Sequence, residues 1–352
     1  MGTYSVRGSE GIYVYEFTRS KGTFELVQAV KTLESPGFLT LHPSGKFLYS
    51  VNGGAMPGEK KPGSVSAYTI DQSSGKLLLI NHQPSYGTGP CHVTTDHTGK
   101  LIIVSNYREG NLTVFPVRED GSVGTISDSI RFTGSSVDKQ RQEKAHVHSA
   151  TVSPDNRFVL VANLGSDKVY SFAINLADGK LNPAKKPFAE VKPGAGPRHL
   201  TFDPKGNFVY LAEELTSSVA TFSYNKETGA LSLLQDLVAS LPADFSGANT
   251  SADIHTDASG KYLFMSNRGH QSLAIYTIDS NGRITFKHSE PTQGEKPRNF
   301  LVDPKNEYVF VAHQDTDNVV VFKWDAKKGK LTSTGVQVKV PSAICLKMLQ
   351  LK

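Results

Sequence analysis

Apolar residues fall in short runs of five or six along the chain, and the runs come in pairs separated by a tight turn. Pro36-Gly-Phe-Leu, Gly89-Pro-Cys-His, His146-Val-His-Ser, Gly196-Pro-Arg-His, Ser251-Ala-Asp-Ile and Lys296-Pro-Arg-Asn each open a first run. A turn of the type His42-Pro-Ser-Gly, Asp203-Pro-Lys-Gly or Asp257-Ala-Ser-Gly follows. A second run of Val, Leu, Phe and Tyr then ends at Asn52, Asn106, Asn163, Glu213, Asn267 or His313. A third, alternating segment such as Ser64-Val-Ser-Ala-Tyr or Asn318-Val-Val-Val-Phe comes next, and a glycine hairpin such as Thr228-Gly-Ala-Leu leads out of it. Alternation, β-branched enrichment and Gly/Asn/Asp turns predict strands throughout, and no convincing helix.

The second-run ends recur every 46 to 57 residues. A repeat of that period predicts a radial array of four-stranded blades. Six units are complete. Pro341-Ser-Ala-Ile-Cys-Leu supplies the first strand of a seventh, and Gly11-Ile-Tyr-Val-Tyr-Glu-Phe its third. The expectation is an all-β fold: a seven-bladed β-propeller of antiparallel blades, residues 1–352 as one domain, closed by pairing both termini in one blade so that no sheet edge stays open. Gly2-Thr-Tyr reads as the end of a second strand whose earlier residues lie outside the sequence, so a few N-terminal residues, and any targeting signal with them, are expected to be missing.

Topology then locates the site. If first strands descend from their starts and second strands climb back, the starts of the former and the ends of the latter share one mouth. His92, His146, His148, Arg198, His199, Asp253, Arg298 and Asn299 occupy the starts; Asn52, Asn106, Tyr107, Asn163, Glu213, Glu214, Asn267, Arg268 and His313 occupy the ends. The long connections 53–63, 133–145 and 241–250 fall on the same face, and loops on a rigid scaffold are where binding and catalysis concentrate. Most of the asparagines are expected to satisfy backbone groups where strands splay. Several arginines and a carboxylate at equivalent heights are harder to explain that way, because buried charges must pair or await a charged ligand.

Composition adds little. The chain is 38% hydrophobic and 20% charged, with a mild formal net charge of +5. No apolar run is long enough to span a membrane, and no lysine block or RNA motif points to nucleic acid. Cys91 and Cys345, far apart and in apolar contexts, read as buried structural thiols, with no spacing that would hold zinc. No Gly-x-Ser-x-Gly elbow suggests a serine nucleophile.

The string from His146 to Val169, Gly194-Ala-Gly-Pro-Arg-His-Leu, Glu214-Leu-Thr-Ser-Ser-Val, Ser266-Asn-Arg-Gly-His-Gln-Ser-Leu and Lys296-Pro-Arg-Asn-Phe resemble the seven-bladed lactonase family, which includes bacterial 6-phosphogluconolactonases and fungal carboxymuconate cyclases. The resemblance covers nearly the whole chain. It implies hydrolysis of a sugar-acid lactone, with 6-phosphogluconolactone the expected substrate, with no metal or cofactor, and with His148, Glu214, Arg198 and Arg268 as the catalytic set. His146, His199, Asn267, Arg298 and His313 are expected to bind substrate. His148 or Glu214 is the expected general base, Arg198 or Arg268 faces the oxyanion, and Arg298 holds a phosphate or carboxylate. Asn163, Glu213 and Gln271 stand where the family pattern usually has Asp, Asn and Asp, which bears on substrate identity more than on fold. A lactonising cyclase acting on a carboxymuconate-type dicarboxylate and a non-catalytic ligand-binding propeller are the alternatives. The partner is expected to be a small anionic lactone or sugar acid, the protein a monomer, and its compartment the cytoplasm, or the periplasm if a signal is missing.

Overall fold

A computed structural model describes residues 1–56, 58 and 62–351; part of the connection 53–63, singled out above as a long mouth loop, lies outside the described residues. Six four-stranded antiparallel sheets follow one another along the chain: Pro36–Pro84 (blade 1), Pro90–Arg131 (blade 2), Val147–Glu190 (blade 3), Pro197–Ala239 (blade 4), Ser251–Pro291 (blade 5) and Pro297–Lys339 (blade 6). Blade 7 is assembled from both ends. Ala343–Cys345 is its inner strand and pairs with Gly2–Thr3. Gly11–Thr18 and Thr23–Lys31 form its outer hairpin. Hydrogen bonds join the halves: the Met1 amine donates to the Tyr13 carbonyl at 2.8 Å, the Tyr13 amide to the Met1 carbonyl at 3.0 Å, and Thr3 Oγ1 to the Gly11 carbonyl at 2.6 Å.

The second strands depart from simple alternation. Leu101–Asn106 and Phe158–Asn163 are buried at every position, because each blade is packed on both faces by its neighbours and a strand covered on both sides has no solvent face to mark. Tyr210, Ala212 and Val219 of blade 4 pack this way against Ile254, Leu263, Met265, Ala274 and Tyr276 of blade 5. Outermost strands such as Lys330–Lys339 face solvent on one side and do alternate. The predicted turns lie at the opposite end from the mouth. In blade 4, Asp203 accepts the Asn207 and Phe208 amides while Gly206 takes a φ of +66°, the left-handed region that glycine enters without steric cost. The one helical element among the described residues is a single 3-10 turn, Leu164–Ser166, capped by Asn163.

Every inner strand carries a β-bulge near its start. Pairing slips between Pro36 and Phe38, Pro90 and His92, Val147 and Ser149, Pro197 and Leu200, Ser251 and Ile254, and Pro297 and Asn299. It slips again between Ala343 and Cys345 opposite Gly2–Thr3. A bulge adds one residue opposite its partner strand and re-aims that residue's side chain. The extra residues are Gly37, Cys91, His148, Arg198, Ala252, Arg298 and Ile344. All but Ala252 line the cavity at the channel mouth.

Candidate active site

That cavity has about 470 Å³ of empty volume and is lined by Tyr4, Ser35, Gly37, Phe38, Gly53, Pro90, Cys91, His148, Arg198, His199, Arg298 and Ile344. Two structural rings build it. The bulge residues form the first. The residues after them form the second, in which Phe38 lies over His92 (ring centroids 4.3 Å), His92 meets His199 (5.5 Å) and His199 bonds Asp253; His148 of the first ring also meets His199 (5.2 Å).

Glu214 is the electrostatic centre. Its Oε1 lies 2.7 Å from Arg141 Nη2 and 3.1 Å from Arg268 Nη2; its Oε2 lies 3.0 Å from Arg198 Nε and 4.0 Å from His148 Nε2. The arginines are themselves anchored, Arg198 Nη1 on the Ala252 carbonyl and Arg268 Nη2 on the Ser251 carbonyl. Burial pushes the Glu214 proton affinity up, but Arg268, Arg198 and Arg141 outweigh it and hold the carboxyl well below its usual range. Such a carboxylate is a weak base. Its evident work is to hold three guanidiniums in place.

The same crowding acts on the cations. Burial, then repulsion from Arg268 and Arg298, draws Arg198 down to about 9. Burial and the charge of Arg198 hold His148 well below its ordinary value, so its ring is neutral at pH 7. Arg298 has no acidic partner among the described residues and packs over the Tyr4 ring, 5.5 Å from its centroid. Four arginines around one paired carboxylate leave a cationic excess at the mouth. No group of three or more His, Cys, Asp or Glu side chains among the described residues is disposed to hold a metal ion.

Of the nine residues singled out in the sequence, six converge here: His148, Glu214, Arg198, Arg268, His199 and Arg298. Four of these line the cavity, and Glu214 and Arg268 join it through their ion pairs, whereas the other three, His146, Asn267 and His313, do neither. Asn267 is wholly buried, donating to the Ser240 carbonyl and accepting from Ser240 Oγ and Asn249 Nδ2. His313 is equally buried at the matching position of blade 6. Both end a second strand, and that position points between strands; the residue after it turns towards the mouth, as Tyr4, Gly53, Tyr107, Glu214 and Arg268 do. His146 sits just outside, stacked on Tyr107 with a centroid separation of 4.5 Å, its two ring nitrogens engaged by the Tyr107 carbonyl and the Glu143 carboxylate.

Two further residues correct or extend the sequence reading. Cys91 is not a core thiol: it lines the cavity, its Sγ 3.2 Å from the His148 carbonyl, with burial pushing its pKa up to about 12. Cys345 is buried, as expected. Arg141 was missed. It comes from the connection between blades 2 and 3, where periodicity gives no register. It is the one arginine among three basic residues, with Lys139 and Lys144, in that long mouth-side loop.

A closed propeller with a cationic, histidine-walled mouth defines a class of protein that holds a small anion over acid–base groups. The sequence profile of the family described as "Lactonase, 7-bladed beta-propeller" matches residues 1–348, and the chain belongs to that family. It is 35% identical over 350 residues to the 6-phosphogluconolactonase of Bacillus subtilis (strain 168), covering 99% of this chain and 97% of that protein. It is 37% identical over 342 residues to the 6-phosphogluconolactonase of Formosa agariphila, covering 96% and 95%. The solved periplasmic gluconolactonase of Pseudomonas aeruginosa superposes with a TM-score of 0.92 at 32% identity, covering 100% of this chain and 98% of that one.

Proposed function

We propose that the protein is a lactonase that hydrolyses 6-phosphogluconolactone to 6-phosphogluconate at the propeller mouth. Family membership and full-length similarity to two 6-phosphogluconolactonases support the reaction class. The observation that carries the phosphorylated substrate is Arg298, a cation in the cavity wall that no carboxylate among the described residues neutralises. A guanidinium offers a phosphate two parallel hydrogen bonds, which makes it a directional anchor as well as a charge.

Anchored there, the lactone ring lies beside Arg198 and the histidines. Attack by water on the C1 carbonyl puts negative charge on its oxygen, and fixed guanidiniums stabilise that charge without having to reorganise. Glu214 offsets the repulsion between Arg198 and Arg268 and keeps them from swinging to solvent. Proton transfer falls to the neutral imidazoles.

The test is hydrolysis of freshly made 6-phosphogluconolactone, followed as acid release above spontaneous ring opening, with unphosphorylated gluconolactone in parallel. A lost charge-assisted contact of about 1.5–3 kcal/mol corresponds to roughly 10–100-fold. Arg298→Ala is therefore expected to raise KM for the phosphorylated lactone by about that factor and to leave the unphosphorylated one within about threefold. An equal loss on both substrates would remove Arg298 from the phosphate, and no wild-type rate on either would overturn the lactonase reading.

A further inference from the structure

We propose that His199 is the base that takes the proton from the attacking water, and that Asp253 is the positioning residue that makes it one; the proposal rests on the lactonase reading above. The sequence pointed to His148 or Glu214 for this step, and the structure separates the three groups by geometry. Glu214 has both oxygens committed to guanidiniums. His148 has a buried Nδ1 with no partner, and its Nε2 is 4.0 Å from Glu214, so no described residue fixes its tautomer.

His199 is different. Its Nδ1 lies 2.8 Å from Asp253 Oδ1, and its Nε2 is buried, has no hydrogen-bond partner and belongs to a ring that lines the cavity. An ionised carboxylate only accepts, so Nδ1 must carry the hydrogen and Nε2 the lone pair. The unpartnered proton acceptor therefore belongs to a ring that lines the cavity. Asp253 is fixed in turn: its Oδ2 accepts from His255 Nε2 at 2.9 Å, from Asn299 Nδ2 and from the Phe300 amide at 3.3 Å, and its own amide donates to Ser266 Oγ at 3.0 Å. A carboxylate so held on one oxygen presents the other in one orientation, the same division of labour as in carboxylate–histidine pairs of hydrolases.

The ionisable groups around the ring are Arg198 beside it, His92 and His148 from blades 2 and 3, and Asp253 and His255 from blade 5. Burial and the Arg198 charge, partly offset by Asp253, draw His199 down to about 4, so it is free to accept a proton at neutral pH. In the step itself, the water oxygen bonds to C1 as its proton passes to His199 Nε2, and the carbonyl π pair moves onto oxygen. Collapse of that oxyanion breaks the bond from C1 to the ring oxygen, which takes the proton back from Nε2–H. The hydroxy acid formed releases one proton to solvent.

Full-length wild type, His199→Gln, Asp253→Asn and His148→Gln would be compared for kcat and KM on 6-phosphogluconolactone, and the wild-type imidazole nitrogens assigned by NMR. Loss of a general base is worth about 10²–10⁴-fold. His199→Gln and Asp253→Asn are expected to lower kcat at least about 100-fold with KM within about threefold. The wild-type spectrum should contain a His199 protonated at Nδ1 and bare at Nε2, and in Asp253→Asn that single tautomer should be lost. His148→Gln should lose rate but keep the His199 signature. A His199→Gln enzyme within threefold of the wild-type kcat, or a wild-type His199 protonated at Nε2, overturns the proposal. The wild-type NMR spectrum needs neither a folded variant nor a working lactone assay, so an inactive wild type would sink the lactonase reading while the His199–Asp253 pair is judged separately.

Discussion

At the scale of single residues, the mouth is governed by what burial does to charge. Glu213 and Glu214 are adjacent in sequence and opposite in state. Glu214 faces three arginines and stays ionised. Glu213 points the other way, between strands, where Ser218 Oγ donates to its Oε2 while Oε1 has no partner. Burial pushes its pKa from 4.5 up to about 8, against that hydrogen bond. An acid whose folded pKa is raised keeps its proton in the folded state after the unfolded chain has lost it, so the protein loses stability as pH climbs from about 4.5 to about 8. Glu213→Gln removes the titration and keeps the Ser218 contact. Its advantage over wild type is expected to be small at pH 5 and to reach on the order of 2–4 kcal/mol at pH 8, checked by denaturant unfolding at the two values. A gain of equal size at both pH values would mean that Glu213 is ionised in the fold.

At the scale of elements, the seven bulges and the connection from 133 to 145 are the parts that make a site out of a repeat. The bulges turn one residue per inner strand into the mouth, so Arg198 and Arg298 reach the cavity from strand positions that are otherwise interior. The connection carries Arg141 onto Glu214 and is secured at its base. Gln142 donates to the Leu164 carbonyl and to Asp167, and Gly165 packs so closely that an added Cβ would sit 1.8 Å from the Lys144 carbonyl oxygen. Gly165→Ala must displace the segment from Lys144 to His146. It is expected to cost about 1–3 kcal/mol of stability, the usual range for overpacking, and to lower kcat/KM about tenfold by loosening Arg141. Thermal melts and lactone kinetics check both; an unchanged kcat/KM beside a lowered melting temperature would mean that Arg141 is not needed in its observed place.

The strands and their turns were legible because their cues are local: β-branched runs, Asp-Pro-x-Gly turns and a period near fifty residues. The bulges were not, since they depend on which residue of the partner strand each backbone group meets. That is why Asn267 and His313 were grouped with Arg268: one residue of register separates a side chain buried between strands from one at the mouth. Arg141 was invisible for a related reason. A loop has no period, and only contact with Glu214 gives the residue its place.

At the scale of the whole molecule, the ring is closed by three inner-strand residues, Ala343–Cys345, against Gly2–Thr3. Ending the chain at Pro341 would leave six blades complete, the seventh without its inner strand, and Gly2–Thr3 and the neighbouring inner strand Pro36–Leu41 uncovered. Unpaired edges invite association and forfeit packing. The shortened chain is expected to melt at least about 10 °C lower or to aggregate, as measured by calorimetry and size-exclusion chromatography. A monomer with an unchanged melting temperature would show that six blades close by themselves.

By itself the sequence determined the blade repeat, the closure by both termini, the face where the cationic cavity lies and the arginine and histidine types gathered there, because each of these is written in local patterning or in the order of repeats. The tertiary structure alone decided which of those residues share a cavity and in what state: Glu214 ionised, Glu213 not, Arg298 without a carboxylate partner among the described residues, His199 with Nδ1 held by Asp253 and Nε2 left unpartnered. Those outcomes depend on distances of a few ångströms between strands some fifty residues apart, and on the loss of water around them, and neither is a property of any one stretch of chain.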